Sequence, residues 1–234
     1  ATGSDLVTLI RQHYLEPYRF VEALDTVLVV GAGTGNDVAL LLSLGARHID
    51  AVEIDPVIAQ LGRERHPMAP YADPRVHLIV DDARAFLRRT PRRYSLIVFG
   101  TLDSQTLLSG LSSLRLDNYV YTLEAFRDAR QRLRPGGRLV TYHMSGRAYI
   151  AARIYQQLRA VFGVPPVALY YPQHLLFNHA FVAGVPADVP HDLGAVPWLA
   201  RYTRLPSDDW PYLYLERPSL PAHYALALAG VLAL

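Results

Sequence analysis

The chain has no cysteine among its 234 residues. Disulfides and thiolate metal sites are therefore excluded, and nothing marks a redox compartment. Net charge is also nearly absent, with 23 basic against 21 acidic residues giving +2. That balance disfavours broad electrostatic capture of nucleic acid. The basic residues that do cluster, Arg88, Arg89, Arg92 and Arg93, read as a solvated helix end. Repeats and low-complexity tracts are missing. None of the nine histidines stands at a metal-ligand spacing from another histidine or an acid, so no metal is expected. The start, ATGSDL, shows no initiator methionine and no signal-peptide core, and reads as an excised or processed start. At the other end Tyr224–Leu234 carries no charge, but its eleven residues fall short of the roughly 20 that span a bilayer.

What is present is an alternation of apolar runs and helical stretches. Strands are expected at Thr26–Val30, His48–Glu53, Arg75–Val80, Tyr94–Phe99 and Arg138–His143. Helices are expected at about Asn36–Leu44, from Pro56, at Ala83–Arg89 and at Leu123–Leu133, the last stopped by the RPGG turn. A further helix is expected near Tyr149–Phe162, then two apolar runs, Val167–Tyr171 and Ala180–Gly184, that fit an antiparallel pair at the sheet edge. Such alternation implies right-handed crossovers and a mostly parallel sheet with helices on both faces. A chain of this length buries an ample core without covalent staples.

Chemistry concentrates where VLVVGAGTGNDVALLLSLGARHIDAVEIDP runs from Val27 to Pro56. Gly31, Gly33 and Gly35 form G-x-G-x-G between a buried strand and a helix. A nicotinamide fingerprint would place glycine at position 36, which is Asn36 here. Glu53 follows Gly35 by 18 residues at the carboxyl end of the second strand. A carboxylate there accepts both hydroxyl protons of a ribose. The competing role, capping the helix that begins at Pro56, suits Asp55 better. Asp82 in VDDARAFL, followed by Ala83, is placed to accept from an adenine exocyclic amine. The competing reading is that Asp81 or Asp82 caps the helix.

These pieces, with the LRPGG turn before the fifth strand, resemble the class I S-adenosylmethionine-binding fold. The expectation is an α/β, Rossmann-like class I methyltransferase fold with a mostly parallel seven-stranded sheet. VEIDP, DDARAFL, YSLIVFGTLDS and YTLEAFRDARQRLRPGG look like the spermidine synthase-like group. The DDWP-LYL stretch at Asp208–Leu215 is similar to the branch of that group fused to membrane-spanning segments. The likeness covers roughly residues 14–225. It implies transfer of an aminopropyl group from a decarboxylated S-adenosylmethionine to an amine, or use of S-adenosylmethionine itself. Gly31, Gly33, Gly35, Glu53, Asp82 and Ala83 would hold that sulfonium compound. By the same resemblance two acids three residues apart follow the fourth strand. They fall on Gly100 and Asp103, so one acid is missing. Either Asp103 does both jobs, or Asp103–Ser104 has slid into the catalytic place through a longer loop. The family's acid in the glycine turn is replaced by Thr34. Ser104, Tyr119, Asp208 and Asp209 are the expected substrate contacts. Tyr119 and Tyr121 either wall an aliphatic chain or pack in the core.

Four regions follow: residues 1–25 as a short helical extension, 26–185 as the nucleoside-binding domain, 186–223 as a Pro/Trp/Tyr-rich extension, and 224–234 as an apolar tail. The tail is either a buried terminal helix or the start of a cut membrane helix, and the resemblance favours the membrane helix. Expected partners are a small-molecule amine and no nucleic acid, with membrane attachment through segments beyond the sequence. The expected location is the cytoplasmic face of a membrane or the cytoplasm. Two other readings stay open: a small-molecule methyltransferase, and a non-catalytic nucleoside sensor.

Overall fold

A computed structural model describes residues 12–100, 116–172, 177–190, 192–193, 204–216, 226 and 229–233. Five strands run parallel: β1 (Val27–Val30), β2 (Ile49–Glu53), β3 (Val76–Val80), β4 (Tyr94–Phe99) and β5 (Leu133–His143). Between and after them lie α1 (Asn36–Ser43), α2 (Pro56–Arg65), α3 (Ala83–Arg89), α4 (Leu123–Gln131) and α5 (Ala148–Phe162). The sheet is completed by β6 (Val167–Tyr170), β7 (His179–Ala183) and the two-residue β8 (Asp192–Leu193). The order across the sheet is β3-β2-β1-β4-β5-β7-β6-β8, with β7 antiparallel to both β5 and β6. The expected antiparallel pair is therefore present, and β8 is one short strand beyond the seven expected.

Side-chain alternation builds two cores from one sheet. Leu28, Val30, Val52, Ile97 and Phe99 face Phe126 and Ala129 of α4 and Ile150, Ile154 and Leu158 of α5. Val27, Val29, Ile49, Ala51, Leu96 and Val98 face the opposite way, against Val38 and Leu41 of α1. Each such apolar side chain contributes about 1.5–3 kcal/mol on burial. This two-sided demand explains why β1 is continuously apolar rather than alternating.

One expectation needs correction. The fourth expected helix ends at Gln131, two residues early, and RPGG lies within β5 rather than before it. The turn breaks the pairing register between Tyr94 and Leu96, after which Leu96 pairs with Arg138.

The chain winds outward from β1 to β3 and then returns to β4 on the other side of β1. Neighbouring strands whose connections depart in opposite directions leave a crevice at their carboxyl ends. Here that crevice is framed by Gly31 after β1 and Gly100 after β4.

The DDWP region closes on the core that α4 and α5 share. Buried Arg153 of α5 donates to the carbonyls of Leu213 (2.7 Å), Leu215 (2.8 Å) and Glu216 (3.0 Å), and its guanidinium also lies against Tyr149 and Trp210. At the end of the chain Leu226, Val231 and Leu232 are exposed at 73%, 69% and 78%. A buried terminal helix is thus not what these residues form. No helix among the described residues is long and apolar enough to cross a membrane.

Candidate active site

The glycine turn follows from backbone geometry. Gly31, Gly33 and Gly35 all have positive φ, and Gly35, at +103°, is the residue from which α1 departs. A side chain at Gly35 would sit 2.7 Å from the Pro70 ring, so both conformation and space require glycine. The turn is clamped from outside by Tyr71, whose hydroxyl donates to the carbonyls of Gly33 (2.7 Å) and Ala32 (3.1 Å).

Glu53 ends β2 beside this turn and is buried. Its Oε2 accepts from the Gly33 amide at 2.8 Å, and its Oε1 accepts from the Asp55 amide at 2.9 Å. Two backbone donors fix the carboxylate without exhausting it, because each oxygen has a second lone pair. Asp55 caps α2, with Oδ1 accepting from the amides of Val57 and Ile58. Glu53 is therefore not the cap.

The acids after β3 divide differently from the simplest expectation. Asp82 caps α3, its Oδ1 accepting from the Ala85 amide at 2.8 Å. Asp81 pairs with Arg89 and accepts from the Asp82 amide. The capping reading of Asp82 is thus realised through one oxygen, and Ala83 is the first residue of α3. Ile54 and Val80 are exposed at 49% and 53%. Val80 pairs in register with Glu53, which Ile54 follows, so two apolar surfaces flank the acid. Sequence reasoning passed over Ile54; the signal was an apolar residue directly after the acid.

A second carboxylate was also missed. Asp37, in the first turn of α1, is 6% exposed. Its Oδ1 accepts from the Tyr14 hydroxyl at 2.5 Å. Burial pushes its carboxyl above the usual range, and the Tyr14 bond opposes that only in part. Burial and the neighbouring Asp37 push the Tyr14 phenol well above its ordinary value. Asp37 is the only acid in α1 and stands directly before the apolar run Val38, Ala39, Leu40, Leu41 and Leu42. That placement was the available signal.

Of the remaining expected site residues, two lie outside the described residues and the others gather around Arg84. Asp103 and Ser104 lie outside the described residues. Tyr119 is 40% exposed and its carbonyl accepts from Arg84, whereas Tyr121 is fully buried in the core. Asp208 is held in a hydrogen-bond and ion-pair network. Its two oxygens accept from Arg84 at 2.9 and 3.0 Å, and Oδ1 also accepts from Thr122 at 2.7 Å. Arg88 and Asp128 extend this network. Asp209 is exposed beside it. The arginine run at Arg88–Arg93 is likewise paired rather than simply solvated: Arg89 with Asp81, Arg92 with Asp50. No group of histidines and acids among the described residues could hold a metal.

The crevice therefore offers a fixed carboxylate beside two apolar surfaces, a helix start and a second, desolvated carboxylate. That set fits a nucleoside bearing a positively charged substituent: hydroxyls for Glu53, a flat apolar base for Ile54 and Val80, and cationic groups for acids.

Comparison with known proteins bears on the family and the fold. Residues 17–184 match the spermine/spermidine synthase domain model. A polyamine aminopropyltransferase of Thermoplasma volcanium is 27% identical over 139 residues, covering 58% of this chain and 46% of the relative. One from Korarchaeum cryptofilum is 26% identical over 215 residues, covering 87% and 64%. The chain thus spans about half the length of the curated relatives it matches. Among solved structures, the spermidine synthase from Thermotoga maritima superposes with a TM-score of 0.58 at 14% identity, covering 91% of this chain and 71% of that one. Human methyltransferase-like protein 13 in complex with SAH gives 0.56 at 15% identity, covering 96% and 98%. At such identities these two likenesses speak for the class I methyltransferase-like fold alone.

Proposed function

Because the chain belongs to the spermine/spermidine synthase domain family, we propose that it binds an adenosyl sulfonium compound and transfers an aminopropyl group from it to an amine. The observation that carries this reading is Glu53, locked by the Gly33 and Asp55 amides at the mouth of the crevice between β1 and β4. Its remaining lone pairs suit the two ribose hydroxyls. Ile54 and Val80 suit the faces of an adenine, and Asp82, through the oxygen not used in capping, together with Ala83 suits its polar edge. Gly31, Gly33 and Gly35 keep side chains out of the space the nucleoside needs. Asp103 and Ser104, following β4 in the sequence, are proposed to contact the acceptor. Tyr119, whose side chain is partly exposed, is proposed beside them. Asp208, with Asp209 next to it, acts on this site only through the Arg84 network.

The donor is proposed to be decarboxylated S-adenosylmethionine, as the relatives named polyamine aminopropyltransferase imply. A spermidine synthase solved with the transition state analogue AdoDATO supports the same chemistry for this fold. Attachment to a membrane through the exposed apolar end is a separate proposal, supported by Leu226, Val231 and Leu232.

The test is incubation with decarboxylated S-adenosylmethionine and a panel of linear diamines, with 5′-methylthioadenosine and the aminopropylated amine quantified together. Equimolar release of both is expected. Methyl transfer from S-adenosylmethionine with no such product would establish the methyltransferase reading. Binding without any turnover would establish the sensor.

A further inference from the structure

At the carboxyl end of β4 the chain has Gly100, and the space a side chain would occupy there is already filled. A Cβ on Gly100 would lie 2.7 Å from Asp37 Oδ2 and 3.6 Å from the Gly31 carbonyl. The carboxylate of α1 thus reaches across the crevice to the end of β4. Tyr14 bonds only Oδ1, and no other hydrogen bond or ion pair reaches Asp37 among the described residues. The titratable groups around it are Tyr14 and Tyr18 from the N-terminal segment, Tyr142 from β5 and Tyr71 from the loop after α2. All four are phenols that burial pushes upward, and none supplies a positive charge. The chain contains no lysine at all, since its 23 basic residues are arginines.

We propose that Asp37, supplied from α1 into the space left by Gly100, is the carboxylate that takes the acceptor amine and removes its proton. The proposal rests on the aminopropyl-transfer reading. A desolvated carboxylate with one neutral partner is costly to the fold unless a cation joins it, and an incoming ammonium is such a cation. The upward push on its carboxyl makes it a stronger base than a solvated aspartate. In the transfer, the amine nitrogen lone pair forms a bond to the carbon beside the sulfonium. The carbon–sulfur bond breaks with its electron pair going to sulfur, leaving a neutral thioether. The proton lost from nitrogen passes to Asp37 and then to solvent. Tyr14 is a positioning residue: its hydroxyl fixes Oδ1 while Oδ2 lies toward Gly100.

The test compares wild type, Asp37→Asn and Tyr14→Phe by turnover against pH, by diamine binding in the presence of 5′-methylthioadenosine, and by thermal melting. Loss of a general base typically costs about 10²–10⁴-fold, so Asp37→Asn should lose that much turnover near pH 7, weaken diamine binding and stay folded. The deficit should shrink toward pH 10, where the amine sheds its own proton; a merely structural role would leave it constant. Tyr14→Phe, which keeps the acid, should lose far less and shift the acidic limb of the profile. Wild-type turnover with an equally active Asp37→Asn would remove Asp37 and leave the transfer reading intact. A wild type that neither binds nor modifies any amine would overturn both.

Discussion

Asp208 and Asp37 are two aspartates that the fold treats in opposite ways. Asp208 has Arg84 on both oxygens and the Thr122 hydroxyl as well, and the Arg84 hydrogen bonds hold its carboxyl below the usual range. Among the described residues Asp37 has a single phenol and no cation, and burial pushes its carboxyl above that range. The acid in the longer motif is a tether for the C-terminal segment. The acid outside any motif is the one kept open. Counting donors separates the two roles, where burial or motif membership alone would have confused them.

The largest expected effect breaks the tether. Arg84→Ala removes the buried guanidinium that Asp208 and Asp128 share and leaves them to the exposed Arg88. Asp208 is 34% exposed on its side chain, so the cost is about 2–3 kcal/mol, below the 3–5 of a fully buried pair. For a chain of this size that is roughly 4–12 °C in melting temperature, measurable by calorimetry. An unchanged melt would deny Asp208 its structural role.

The two acids should also respond to pH with opposite signs. Asp208 has a lowered value, so its contribution is present above the ordinary carboxylate range and is lost as pH falls through the folded value. Asp208→Asn should therefore melt below wild type at pH 7 and converge with it in acid. Asp37 has a raised value, so the folded state keeps a proton the unfolded state has lost, and stability falls as pH rises through that window. Asp37→Asn should melt above wild type at pH 7 and converge with it from the other side. All three proteins share a background loss on acidification, because burial lowers His143 to about 3 and His179 to about 4, whereas unfolding lets both take a proton near 6.5. Melting curves at half-unit steps from about pH 2 to 8 separate the three trends. Asp37→Asn melting below wild type at pH 7 would mark Asp37 as structural.

The smallest effect concerns the tail. Leu226, Val231 and Leu232 are exposed, so deleting residues 226–234 should change the melting temperature by less than about 2 °C. A larger drop would mean that this end packs on the domain.

The sheet and its order of strands were legible because continuous apolar runs alternate with helical stretches, and glycine turns have few conformational alternatives. The place of Glu53 was legible, since it ends β2 beside the glycine turn as expected. Asp37 was not. Its role depends on Gly100, 63 positions away, and on a phenol 23 positions before it, and nothing local announces either neighbour. The pairing of Asp208 was hidden for the same reason, since its partner Arg84 is 124 positions distant. The RPGG turn misplaced the start of β5 because a turn inside a paired strand reads like one that precedes it.

With Glu53 proposed to hold the nucleoside and Asp37 the amine, one titration addresses that division directly. 5′-Methylthioadenosine is added calorimetrically to wild type, Glu53→Ala and Asp37→Asn. Each lost hydrogen bond to a charged acceptor is worth roughly 1.5–3 kcal/mol, so Glu53→Ala should bind about 10- to 150-fold more weakly, with Asp37→Asn indistinguishable from wild type. Undiminished affinity in Glu53→Ala, or an equal loss in Asp37→Asn, would contradict the division of roles.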